Sequence, residues 1–146
     1  MIRLTLERTE GDFGFTATDE KGHQLTTDTS EENGGNNYGF RPMQLILSAL
    51  GSCSAIDLVS ILKKQRQNPT RVRIEIEGER EREVIPSLWK NINVTFHLSG
   101  TLDKEKTEKA VALSMEKYCS VAETLRRGGT TINWITKINE DEQPGT

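Results

Sequence analysis

Pro42-Met43-Gln44-Leu45-Ile46-Leu47-Ser48-Ala49-Leu50-Gly51-Ser52-Cys53-Ser54-Ala55-Ile56-Asp57-Leu58-Val59-Ser60-Ile61-Leu62-Lys63-Lys64-Gln65-Arg66 is apolar almost all the way round a helix. Met43, Ile46, Leu47, Leu50, Ser54 and Asp57 fall on one stripe, and Ala49, Cys53, Ile56 and Ser60 on its neighbour. A helix of that kind is buried on most of its faces. Pro42 suits the first helical position. Lys63, Lys64 and Arg66 suit the negative end of the helix dipole, and Asn68-Pro69 stops the helix. The reading is a helix over residues 42–67. Gly51 in its middle costs about 1 kcal/mol relative to Ala. It predicts either close approach of another backbone at that level or a break into two helices.

On both sides of this helix the period changes from helical to two. Ile2, Leu4 and Leu6 alternate with Arg3, Thr5 and Glu7; Phe13, Phe15 and Ala17 repeat the pattern, and His23, Leu25 and Thr27 follow a turn at Asp19-Glu20-Lys21-Gly22. Residues 1–27 therefore read as an antiparallel meander. Residues 28–41 hold Asn33-Gly34-Gly35-Asn36-Asn37 and no periodicity. A loop of that length is either a border of a site or a connector. After the helix, Val72, Ile74 and Ile76, then Ile92, Val94, Phe96 and Leu98, mark strands within residues 71–98, with Glu79-Arg80-Glu81-Arg82-Glu83 as a solvated tip between them. Residues 101–128 read as helices, Asp103 capping the first. Ser120-Val121-Ala122-Glu123 has the capping-box spacing for a second, with Gly128-Gly129 ending it. Ile132, Trp134, Thr136 and Ile138 form a last strand over 131–139, and a frayed tail follows from Glu140. Strands and helices are segregated, which gives an α+β class in one domain over residues 1–146.

Composition narrows the function. Nineteen Lys and Arg stand against 22 Asp and Glu, a net charge of −3, so the basic surplus of a nucleic-acid protein is missing. No uninterrupted run of 18 apolar residues suggests a membrane span, and Met1 to Arg8 lacks the apolar centre of a signal peptide. A cytoplasmic chain is expected. There Cys53 and Cys119 are not expected to form a static structural disulfide; they are a transient catalytic pair or two buried thiols. Two Cys with His23 and His97 match no zinc-ligand spacing, and the motifs for nucleotide binding and for serine hydrolysis are missing, so neither a metal nor a cofactor is expected.

The cysteine settings carry more information. Cys53 is flanked by Gly51, Ser52, Ser54 and Ala55, small residues that leave room at the sulfur. Cys119 immediately precedes a helix, where backbone N–H groups and the positive dipole end lower a thiol pKa. Asp57 lies one turn beyond Cys53; a carboxylate buried there needs a partner, and either holds structure or tunes the thiol. His23 reads as a sheet-surface residue.

The Pro42–Arg66 stretch resembles the central helix of the OsmC/Ohr family, in its YhfA-type branch, and Lys117-Tyr118-Cys119-Ser120-Val121 resembles that branch's second cysteine motif. Gly22-His23-Gln24 and the Glu79–Glu83 run fit as well. The resemblance implies an OsmC-like fold: curved antiparallel sheets wrapped around a long buried central helix in an intertwined homodimer. It also implies thiol-dependent, peroxiredoxin-like reduction of organic hydroperoxides in oxidative-stress defence. Cys53 would attack, Cys119 would resolve, and a dithiol such as a lipoyl group would reopen the disulfide.

One departure from the family pattern stands out. Peroxidases of the family carry a Glu, paired with an Arg, ten residues before the attacking cysteine; here that position is Met43, and Gln44 follows it. Arg41, with Arg3 and Arg8, is a possible source of the cation. Tyr38 and Phe40 are expected to line the substrate entrance with Arg41 and Gln44. The alternative is a non-enzymatic small-molecule-binding or redox-sensing protein on the same scaffold.

Overall fold

Alternating apolar residues become two separate three-stranded sheets in the computed structural model, which describes residues 1–140. The expected tail lies outside the described residues, apart from Glu140. The chain divides into two compact units, residues 1–48 and 49 onward.

In the first unit, β1 (Leu4–Glu10), β2 (Gly14–Asp19) and β3 (Gln24–Thr27) form the expected antiparallel meander. The Asp19–Gly22 turn closes through Asp19, whose carboxylate accepts the backbone N–H groups of Lys21 and His23 and meets the His23 ring at 2.8 Å. His23 is thereby used in a surface turn. Residues 28–41 are braced from within. Buried Asp28 accepts backbone N–H groups from Thr29, Asn36 and Tyr38. The Asn36 bond, first among these, holds the Asp28 carboxyl below its ordinary pKa. Because the folded value is the lower one, this contribution is present above the unfolded carboxyl pKa and is lost as acid titrates the folded group. Asp28→Ala is expected to loosen amide exchange from Thr29 to Tyr38 at neutral pH, whereas the wild type loosens there only in acid.

Helix α1 (Pro42–Lys64) belongs partly to each unit. It is unbroken through Gly51, and stops three residues earlier than the sequence suggested. Arg66 takes a left-handed φ of 58°, and the Gln67 N–H reaches back to the Leu62 carbonyl, the pattern of a C-terminal cap. The close neighbour at Gly51 is a side chain, not a backbone: a Cβ there would come within 2.7 Å of Ile76 Cδ1. Among the described residues, α1 has the length and apolar composition of a bilayer span, but it carries core residues. Leu50, Leu58 and Leu62 have no exposed surface, while Ile56 on the far side is 69% exposed. The other faces are thus left to be covered.

In the second unit, β4 (Arg71–Arg80), β5 (Trp89–Ser99) and β6 (Thr131–Ile138) form a sheet with β5 in the centre. Its inward residues Ile92, Val94, Phe96 and Leu98 are all buried, as their alternation requires. The sheet is mixed, not antiparallel throughout. β6 runs parallel to β5, because the chain between them crosses over through α2 (Lys104–Leu113), a π-turn at Ser114–Tyr118, and α3 (Ser120–Arg127). Asp103 caps α2 as expected, accepting the Lys106 N–H at 2.8 Å. Ala110, Val111, Met115 and Ala122 complete the core. Leu58→Ala leaves a cavity in it, with an expected loss of about 2–5 kcal/mol in urea unfolding.

Candidate active site

Cys53 and Asp57, four residues apart on α1, present side chains on the same helical face. Cys119 arrives from the crossover. The two sulfurs and an Asp57 carboxylate oxygen all lie within 4.8 Å of one another. Both thiols are free; Cys53 is half-buried, whereas Cys119 is only 2% exposed.

Local backbone chemistry sets the position of Cys119. The α2 helix widens into a π-turn over its last residues, closed by the Cys119 N–H on the Ser114 carbonyl at 2.8 Å. Such turns often sit at functional sites, since they re-aim the residue that follows. Buried Ser114 donates its hydroxyl to the Ser54 carbonyl at 2.8 Å, pinning the π-turn to α1 one residue beyond Cys53. Ser54 itself bonds back to the Leu50 carbonyl at 2.8 Å. Ser114→Ala removes the inter-element bond, worth about 1 kcal/mol. It is expected to lower the thermal midpoint and slow Cys53–Cys119 disulfide formation several-fold, read by intact mass against time.

The expected capping box does not form. Cys119 is itself the N-cap of α3, its sulfur accepting the Ala122 N–H at 3.4 Å. The Glu123 carboxylate instead meets Arg127 at 2.9 Å and Arg126 at 3.2 Å, one turn along the same helix. Nor is the Cys119 thiol acidified. Burial pushes its pKa up to about 11, with the neighbouring Cys53 adding to the rise, and the N–H groups of Ala122 and Val121 only partly offset this. Desolvation of the thiolate outweighs the helix terminus. A hollow of about 360 Å³ borders Cys119, walled by Lys117, Tyr118, Glu123 and Arg127.

The remaining expected site residues belong to the first unit. The Gln44 side chain accepts the Arg41 backbone N–H at 3.1 Å, the return half of a capping arrangement at the start of α1. Tyr38 places its hydroxyl between those of Thr9 (3.0 Å) and Thr16 (3.1 Å). Phe40 lies beside Thr27 in a parallel bridge, its N–H donating to the Thr26 carbonyl and its carbonyl accepting the Asp28 N–H, and the residue is 56% exposed.

The profile of the OsmC-like protein family matches residues 34–135 of this chain. The chain belongs to the OsmC-like family. Protein YhfA of Escherichia coli K12 is 40% identical over 114 residues, spanning 77% of this chain and 81% of YhfA. A hypothetical protein of Aquifex aeolicus VF5 is 31% identical in its crystal structure, with a TM-score of 0.78 over 96% of this chain and 98% of its own. The organic hydroperoxide resistance protein OsmC of Legionella pneumophila shares the fold at 17% identity, with a TM-score of 0.71 over 93% of this chain and 96% of its own.

In this OsmC-like chain the sequence reading singled out both cysteines and Asp57. It missed the Ser54–Ser114 bond and the capping role of the Cys119 sulfur. Five residues from Ser114 to Cys119 is a π-turn spacing, but nothing in the residue types distinguishes it from an α-turn. Among the described residues, Cys53, Asp57 and Cys119 are also the grouping of donor types able to hold a metal ion.

Proposed function

We propose that this protein reduces organic hydroperoxides through a Cys53–Cys119 dithiol. The observation that carries this reading is the convergence, within 4.8 Å, of two reduced sulfurs that lie 66 positions apart in the sequence. The organic hydroperoxide resistance protein of the same fold supports the choice of oxidant.

Accessibility and burial divide the roles. Half-buried Cys53 attacks as a thiolate: its sulfur takes the terminal peroxide oxygen, the O–O bond breaks, and the alkoxide leaves with a proton as alcohol. Cys119, kept protonated by burial, does not compete for peroxide. Its sulfur then attacks the Cys53 sulfenic acid. An S–S bond forms, the S–OH bond breaks, and the hydroxyl leaves with the Cys119 proton as water. A dithiol reductant, such as a lipoyl group, reopens the bridge by exchange and is itself oxidised. With Met43 at the family's Glu position, no carboxylate there holds an Arg beside the thiolate, so a modest turnover is expected.

The working unit is a cytoplasmic homodimer. Ile56 is 69% exposed, and an apolar hollow of about 540 Å³ runs along α1 and β4 between Ala55, Ile56, Val59, Val72 and Ile74. Leu4 and Leu6 of β1 are 59% and 57% exposed. Apolar surface of this extent marks an interface, and a second copy covers it. The activity is tested by following cumene hydroperoxide loss with dihydrolipoamide as reductant. Consumption that needs both protein and dithiol is expected. If consumption equals that of free cysteine at the same thiol concentration, the enzyme reading fails and the binding or sensing alternative stands.

A further inference from the structure

The Asp57 Oδ2 atom is buried and has no hydrogen-bond partner among the described residues. A carboxylate oxygen withdrawn from water without a donor or cation is costly, and native proteins rarely leave one so. The Asp57 carboxylate has an oxygen within 4.8 Å of two thiol sulfurs. Cys53 sits one turn back on the same helix, and Cys119 sits at the cap of α3. The disulfide chemistry proposed above uses the sulfurs and gives this oxygen no task.

We propose that reduced Cys53, Cys119 and Asp57 form a site for a thiophilic divalent cation, with zinc the best match. Two thiolates select a soft or borderline ion, and the carboxylate favours a dipositive one. Zinc bonds sulfur at about 2.3 Å and carboxylate oxygen at about 2.0–2.2 Å, which sets tetrahedral donors about 3.5–3.8 Å apart. The donors here lie within 4.8 Å of one another, so a contraction of about 1 Å by side-chain rotation completes the set. Three protein ligands leave a fourth position for water. Two of the ligands stand at i and i+4 on one helix, and the third is fixed by the π-turn and the Ser114–Ser54 bond, so the site is built on regular elements. On binding, up to two S–H bonds are replaced by S–Zn bonds, and the protons pass to buffer. No sulfur changes oxidation state.

The metal and the disulfide exclude each other, because both engage the same sulfur lone pairs. Metal-loaded protein is therefore held in the dithiol state, and oxidised protein cannot load.

The test uses the full chain and Co²⁺ as a spectroscopic substitute, followed by Zn²⁺ competition against a chromophoric chelator; it needs no hydroperoxide. Reduced protein is expected to take up one ion per chain with a sulfur-to-cobalt charge-transfer band. Diamide-oxidised protein is expected to show neither. Cys53→Ser or Cys119→Ser should weaken the band and the affinity, and Asp57→Asn should keep the band while lowering affinity at least about tenfold. Uptake that oxidation leaves unchanged, or a bound ion without the charge-transfer band, overturns the site. Unaltered affinity in a folded Asp57→Asn removes the carboxylate from it. Should Asp57→Asn fail to fold, the reduced-against-oxidised comparison decides on wild-type protein alone. Metal uptake without peroxide turnover, or the reverse, separates this inference from the proposed activity.

Discussion

Cys53→Ser is expected to abolish hydroperoxide consumption, a loss of at least about a hundredfold, while Cys119→Ser still completes one turnover. The asymmetry follows from burial. Cys53 is half-buried and reachable, whereas Cys119 is 2% exposed and its thiol is pushed up to about 11. In Cys119→Ser the oxidised Cys53 has no partner sulfur to condense with. It persists as a sulfenic acid, is captured by dimedone, and goes on to sulfinic acid at higher peroxide. Mass spectrometry of the Cys53 peptide reads each state directly. If Cys119→Ser instead protects Cys53 from oxidation, the roles are reversed.

If the protein assembles as the proposed homodimer, Ile56→Asp is expected to leave it a monomer. The side chain is 69% exposed in the single chain and borders the apolar hollow on α1 and β4. Burying a carboxylate in that seam without a partner should weaken association by at least about a hundredfold. Light scattering at micromolar concentration measures it. The wild type should elute at twice the chain mass and unfold at a midpoint that rises with concentration; the variant should do neither. A wild type of single-chain mass would remove the dimer from the account.

The strands of both sheets were legible in the sequence because period-two alternation is a local property. Ile92, Val94, Phe96 and Leu98 show it without interruption, and all four are buried. The direction of β6 was not legible. Alternation at Ile132 and Trp134 fits a strand of either polarity, and only the crossover through α2 and α3 fixes it as parallel. The family likeness around Cys53 and Cys119 named the pair, but their approach is a tertiary fact. So is the rise in the Cys119 pKa. A cysteine ahead of a helix suggests an acidified thiol, and the sulfur does accept the Ala122 N–H, yet burial outweighs that contact. The same sulfur displaces Ser120 from the expected cap and frees Glu123 for Arg127 and Arg126. Spacing against zinc ligation was likewise read along the chain, whereas Cys53, Asp57 and Cys119 meet only in the fold.

The central claim is that Cys53 and Cys119 act as one redox unit. The most direct measurement is the intact mass of the reduced wild-type protein after one equivalent of cumene hydroperoxide, followed by non-reducing peptide mapping. The account predicts the loss of two hydrogens per chain and a single Cys53–Cys119 bridge within the chain, reversed by dihydrolipoamide. An unchanged mass, a bridge between chains, or stable oxygen addition at either cysteine would contradict it.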